Sequence, residues 1–265
     1  MRSRANLVFA LGSFIVLIGL VAGGIFGIVV FLDKLHGPHV PSGWAYVTYT
    51  IDGDVSGDEQ EAMAKSIVFR MHMGRAADAR WWVHDDTMTV AVPESERPEL
   101  ESLPDQGPVL GFGGVTSSGV VGEGPVKDTG QCRKPPDGYA CDRERHLWYQ
   151  LEEPALTGND VASSSVRPDK AGTGALAIEM HFDGEHRETL KKTTTTMAGA
   201  SGDAQRLAVV YGGIVLSATP VAEPTTNGTV RLPGFSKSEG GDLASAIEAG
   251  KLDVTLTKGP IEIAD

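Results

Sequence analysis

Apolar and polar positions divide this chain into one long greasy run followed by short alternating segments. Between Arg4 and Asp33 there is no ionisable side chain, and Asn6 to Leu32 is apolar apart from Asn6 and Ser13. At ~1.5 Å rise per residue a helix over this run is about 40 Å long, more than the ~30 Å hydrocarbon core of a bilayer requires. The pattern predicts a single tilted spanning helix over residues 6–32, within a unit of residues 1–35. Arg2 and Arg4 precede the run, whereas Lys34 follows it beside Asp33. The positive-inside rule therefore puts the amino terminus in the cytoplasm and everything after Leu32 outside. A cleaved export signal shares the basic start and the apolar core, but this run is too long for one. Its small-x-small candidate, Ala22-Gly23-Gly24, also lies inside the run rather than after it. Gly19, Gly23 and Gly27 form a ladder of small residues suited to close contact with a second membrane helix, although glycine is common in membrane helices in any case.

Residues 36–43 hold Gly37, Pro38, Pro41 and Gly43 and read as a non-helical linker. Trp44 to Ile51 then alternates as a strand. Asp58 to Met73 carries Met63, Ile67, Phe69 and Met71, with Gly74 just beyond, which predicts a helix and its stop. Arg80–His84 and Met88–Val92 read as strands around Asp85-Asp86, Glu94–Leu103 as a short acidic helix weakened by Pro98, and Val109–Val115 as the strand that closes the unit. The order βαββαβ over residues 44–115 is that of a ferredoxin-like base. Residues 116–147, poor in apolar positions and rich in glycine, read as an irregular insert.

Residues 148–252 predict a mixed α/β unit. Leu207–Tyr211 and Ile214–Ala218 flank Gly212-Gly213, a pair that accepts the positive φ angles of a tight hairpin. Thr229–Leu232 is a further strand. After Pro233-Gly234, Ser236 precedes Glu239 by three residues, the spacing of a capping box. The helix that follows is expected to bury Leu243, Ala244, Ile247 and Leu252 and to stop at Gly250. Residues 253–265 are expected to return as a strand to the first sheet. The fold class is α+β: an N-terminal membrane helix, a ferredoxin-like base and a mixed α/β head.

Composition narrows the partners. Acidic side chains number 35 against 23 basic ones, and with Arg2 and Arg4 inside, the outer part is more acidic still. Nucleic acid and anionic lipid, which reward clustered lysine and arginine, are therefore poor candidates. Cys132 and Cys141 sit in the turn-rich stretch QCRKPPDGYACDR around Pro135-Pro136-Asp137-Gly138. Outside the membrane they are expected to form a disulfide closing a small loop, worth about 2 kcal/mol; free thiols or a metal pair are the alternatives, and two sulfurs without nearby histidines make a weak zinc site.

The search for chemistry returns little. His181 and His186 are five apart and His36 and His39 flank a proline, so neither pair has the i, i+4 spacing of a zinc helix. GFGGVTSSG at Gly111–Gly119 lacks the lysine and the helix of a phosphate loop. Ser163–Ser165 and Thr193–Thr196 lack a nucleophile elbow. Glu152-Glu153 and Asp85-Asp86 would point to opposite faces of a strand and could not share a substrate. No catalytic residue, metal site or cofactor is expected.

One resemblance organises these segments. In order, LAVVYGG, SATP, GTVRLPGFS, EGGDLASAIEAG and KL resemble the first extracytoplasmic domain of SecD, the auxiliary subunit of the bacterial Sec secretion machinery. YQLEEPALTGNDVASSSVRPDK and ALAIEMHFDGEHRETLKKTTTTM are similar to the segments that precede them in that family. FRMHMG and MTVAVP, within Val47–Val92, match a helix and strand of its base. Asp253 stands where the family has proline, and Thr219 is extra. The resemblance implies a base and a head, contact with exported polypeptide or translocon components, and no catalysis. SecD itself carries six membrane helices with charged residues inside the membrane; the run here has none and cannot relay protons. A cell-envelope scaffold or sensor that has kept the fold is the alternative function.

Overall fold

The computed structural model describes residues 39–73, 76, 78–103, 109–169, 175–249 and 255–265. The expected membrane helix with Gly19, Gly23 and Gly27, the helix stops Gly74 and Gly250, and Leu252 lie outside them. Among the described residues no helix is long and apolar enough to cross a membrane.

The chain from Trp44 onward begins with β1 (Trp44–Asp52), α1 (Gly57–Met73), β2 (Arg80–His84), β3 (Thr87–Pro93) and α2 (Arg97–Glu101). Next come β4 (Leu110–Val120), β5 (Tyr139–Asp142), β6 (Leu147–Leu151), β7 (Leu156–Thr157), β8 (Ser163–Pro168), β9 (Leu176–His181) and α3 (Gly184–Ala198). β10 (Arg206–Tyr211), β11 (Ile214–Pro220), β12 (Thr229–Phe235), α4 (Lys237–Ala249) and β13 (Thr255–Ile263) complete it.

The first sheet has the order β13-β1-β3-β2, antiparallel throughout. With α1 and α2 as its crossovers this is the ferredoxin-like arrangement, but its fourth strand comes from the end of the chain. Val109–Val115 does not close this sheet. Those residues open β4, which pairs with β6, β7 and β10 in a second sheet. The edge beside β1 is taken by β13, whose Leu256 joins the base core, and Leu110 and Phe112 are buried in the distal core instead. The head is thus inserted within the base, between α2 and β13. Gly43 and Trp44 exchange backbone hydrogen bonds with Ala264, so the chain enters and leaves the base at one point.

Helix α1 shows why base and head hold together. Ser56 and Glu59 form a capping box at its start, the Ser56 N–H donating to Glu59 Oε2 at 2.7 Å. Met63, Ile67 and Met71, four residues apart, face the base core. Phe69 and Met73, also four apart but on another side, enter the head core with Tyr211, Ile178 and Phe235. A helix buried on two sides carries two apolar stripes, and α1 has both.

In the head, a three-stranded sheet, β12-β9-β8, is covered by α4 through Leu243, Ala246 and Ile247; Ala244 is only half-buried. The capping box of α4 is present: the Ser236 N–H donates to Glu239 Oε2 at 2.8 Å, and the Glu239 N–H approaches Ser236 Oγ at 3.3 Å. Burial pushes the Glu239 carboxyl up, but these Ser236 bonds and Arg143, 2.5 Å away, outweigh it and hold the group below its usual range. Gly212 and Gly213 adopt φ 53° and 82°, the mirror-image turn of a two-residue hairpin between β10 and β11.

The stretch expected to be irregular is partly ordered sheet. β4 extends to Val120, and β5 and the start of β6 fall within residues 116–147. Alternation was hidden there because the strands are short and glycine-interrupted. Gly119 leaves room for the Trp148 ring, which a Cβ would meet at 2.6 Å.

Candidate functional site

Strand β10 pairs with β11 on one edge and β4 on the other. β4 also pairs with β6, β6 with β5, and β5 with β11 in parallel. These five strands therefore close into a small ring. Its interior is Val115, Ala140, Tyr149, Ala208 and Val215, while the alternate residues of β10, Leu207, Val209 and Tyr211, face the distal core. A strand buried on both faces reads as an unbroken apolar run, and LAVVY does so.

The starts of β4 and β5 and the ends of β6 and β10 meet at one end of this ring. There the interior opens into a cavity of about 400 Å³ with mostly apolar walls, lined by Ala140, Leu151, Ala208, Val210, Pro154 and Gly213 among others. The cavity exists because the inward positions at this end are small: alanine on β5 and β10, and glycines on β4 and at the hairpin. Glu152 and Glu153 also line it. They follow β6 in a loop rather than lying on a strand, so the strand alternation on which their expected divergence rested does not apply to them.

The hairpin at Gly212-Gly213 is held from below by the base. Arg70 of α1 donates from Nε to the Gly212 carbonyl at 2.5 Å, and the Tyr211 hydroxyl donates to the Ser66 carbonyl at 2.9 Å. Desolvation by burial lowers the Arg70 guanidinium to about 10 and pushes the Tyr211 phenol up. Beside them Glu99, 5 % exposed, accepts from Arg145 at 2.9 and 3.0 Å and from Arg133 at 2.7 Å. Glu99 belongs to α2 of the base, and both arginines to the head, so this ionic node spans the seam.

Cys132 and Cys141 form the expected disulfide, with Cα atoms 5.5 Å apart. Both sulfurs are buried with Val126, partly covered by Trp148. The bond ties Arg133 of the ionic node to β5, whose Tyr139 and Ala140 line the cavity. His186 approaches Asp160 at 3.3 Å and His181 approaches Thr229 at 3.5 Å, while His36 lies outside the described residues. Among the described residues no group of three potential metal ligands occurs. GFGGVTSSG lies within β4 and shapes the ring rather than a phosphate loop. Sequence reasoning missed the cavity because its walls are defined by side chains that are absent. The one available clue was the small Ala208 among Leu207, Val209 and Tyr211.

Residues 137–254 match the family model of the SecDF P1 head subdomain. The chain is also similar to the protein translocase subunit SecD of Treponema pallidum, 29% identical over 120 residues. Residues 137–254 are thus similar to the head subdomain of the SecD family. That alignment takes in 45% of this chain but 19% of the Treponema SecD, so this chain corresponds to a minor part of the whole subunit. Two solved SecDF structures are similar over more of the chain. One, a membrane component that enhances protein export, is 20% identical, covers 82% of this chain and 99% of its own, and has a TM-score of 0.43. The other, a translocon-associated membrane protein from Thermus thermophilus, is 22% identical, covers 91% of this chain and 35% of its own, and has a TM-score of 0.46. In this SecD-like chain the family-model match encloses β5, β6, β10 and β11, four of the five ring strands.

Proposed function

We propose that this chain is a membrane-anchored, extracytoplasmic SecD-like domain that binds polypeptide in the cavity of its head, auxiliary to protein export and without catalysis. The anchor is the apolar run of residues 6–32. With no charge inside it, that run does not itself relay protons, and the proposed partner is a translocon component.

The observation that carries this reading is the apolar cavity of about 400 Å³ at the open end of the strand ring. It is large enough for one bulky apolar side chain, and removing such a side chain from water contributes about 1.5–3 kcal/mol. That is the scale of weak, releasable contact suited to a chain in transit. The neighbouring backbone of β5 and the hairpin gives an extended peptide little sequence discrimination beyond one greasy position.

The test is fluorescence anisotropy with the full chain in detergent and a labelled, unstructured peptide bearing one central leucine. Val210 is half-buried and lines the cavity, and Val210→Trp is expected to fill it and weaken binding by about tenfold or more. Unchanged affinity in this variant, or no binding by the parent chain, would overturn the reading.

A further inference from the structure

A second cavity, of about 350 Å³, lies on the other side of the hairpin and shares Gly213 with the apolar one. Its chemistry is the opposite. Arg70, Arg133 and Lys134 all line it, and among the described residues no acidic side chain does. This is a concentration of positive charge on a chain with a formal net charge of −12.

The three cations are differently placed. Arg70 is 3 % exposed and donates from Nε to the Gly212 carbonyl, an anchor that fixes the guanidinium, and the Glu99 carboxylate nearby balances part of the charge of the three arginines around it. Arg133 is pinned by Glu99, which lies behind the lining. Lys134 is exposed at the rim. A guanidinium plane fixed by one nitrogen keeps its remaining donors for a carboxylate, which it takes in fork geometry. Partial burial strengthens that attraction relative to one on the open surface.

We infer that the two cavities act together on one polypeptide: an apolar side chain enters the ring, and a nearby acidic side chain of the same segment is taken by Arg70, Arg133 and Lys134. Gly213 is the low wall between them. At φ +82° and with nothing within 4 Å of where its Cβ would stand, it leaves the passage open. This inference rests on the polypeptide-binding reading and adds to it a preference for segments in which a carboxylate lies close to a large apolar residue.

Glu152 and Glu153 also line the apolar cavity, so comparing acidic with basic peptides would mix two effects. The informative comparison is an acidic peptide against its glutamine counterpart, both with the same central leucine, measured by anisotropy on the full chain. The glutamate peptide is expected to bind about tenfold more tightly at low ionic strength, and the advantage is expected to shrink in 0.5 M salt. In Lys134→Glu and in Arg70→Gln the ratio of the two affinities is expected to fall towards one. Lys134 is exposed, so that variant reports even where Arg70→Gln loosens the hairpin. Equal affinities in the parent chain, or a ratio unchanged by Lys134→Glu, would overturn the inference. Leucine-dependent binding of both peptides would then leave the apolar cavity as the binding site; no binding of either would remove both.

Discussion

Glu99→Ala is expected to lower the stability of the folded domain by about 3–5 kcal/mol, the cost of breaking a buried ion pair by removing one partner. Glu99 is the carboxylate on which Arg145 and Arg133 converge. Arg145 is 8 % exposed and sits at φ 58°, a backbone conformation that a non-glycine residue holds only when its surroundings impose it. Without the carboxylate, a buried guanidinium loses a close counter-charge while Arg70 stays nearby. Urea denaturation of the full chain in detergent, followed by tryptophan fluorescence, measures the loss. A paired Glu99→Ala and Arg145→Met variant is expected to recover much of it, because removing both charges no longer leaves a buried guanidinium without this carboxylate. A loss below about 1 kcal/mol in the single variant, as for an exposed ion pair, would show that the node is solvated.

The second large effect is expected at Phe69→Ala. Phe69 belongs to the base helix, yet it is buried in the head core, its ring edge-on to Tyr211 at 5.4 Å. Truncating a fully buried phenylalanine costs about 3–5 kcal/mol. Because the side chain joins two cores, the loss is expected to be uneven. Hydrogen exchange should quicken at β10 and α4, which face the new void, before it quickens at β1 and β3, whose packing against Ile67 and Met71 is untouched. Uniform acceleration across both sheets would mean that base and head unfold as one unit.

Phe69 also shows how far the sequence was readable. Its four-residue spacing to Met73, out of step with Met63, Ile67 and Met71, records a helix packed on two sides. The Gly212-Gly213 hairpin and the capping box of Ser236 and Glu239 are local events, set by residues within a few positions of each other, and they form where the sequence places them. Strand partners are not local. Nothing in LGFGGV at Leu110–Val115 says that β13, more than a hundred residues later, takes the edge beside β1, because that choice depends on the head being inserted there. The cavity was least legible of all. Ala140, Ala208 and Gly213 matter through the volume they leave empty, and that depends on ring closure. Glu152 and Glu153 were set aside as strand residues and reappear on a loop at its mouth. The charge contrast between the two cavities joins Arg70 to Lys134 and Gly213 across a seam that no linear pattern marks.

The most direct test of polypeptide capture by the head is photo-crosslinking in living cells. A photoreactive phenylalanine analogue replaces Tyr139, an aromatic residue that already lines the cavity, with Lys192 on the outer face of α3 as the control position. With an export substrate arrested part-way across the membrane, the probe at position 139 is expected to form adducts with the arrested chain, and the probe at position 192 few or none. Equal labelling from both positions, or none from position 139 under conditions that label neighbouring proteins, would contradict the proposal that the strand ring receives polypeptide.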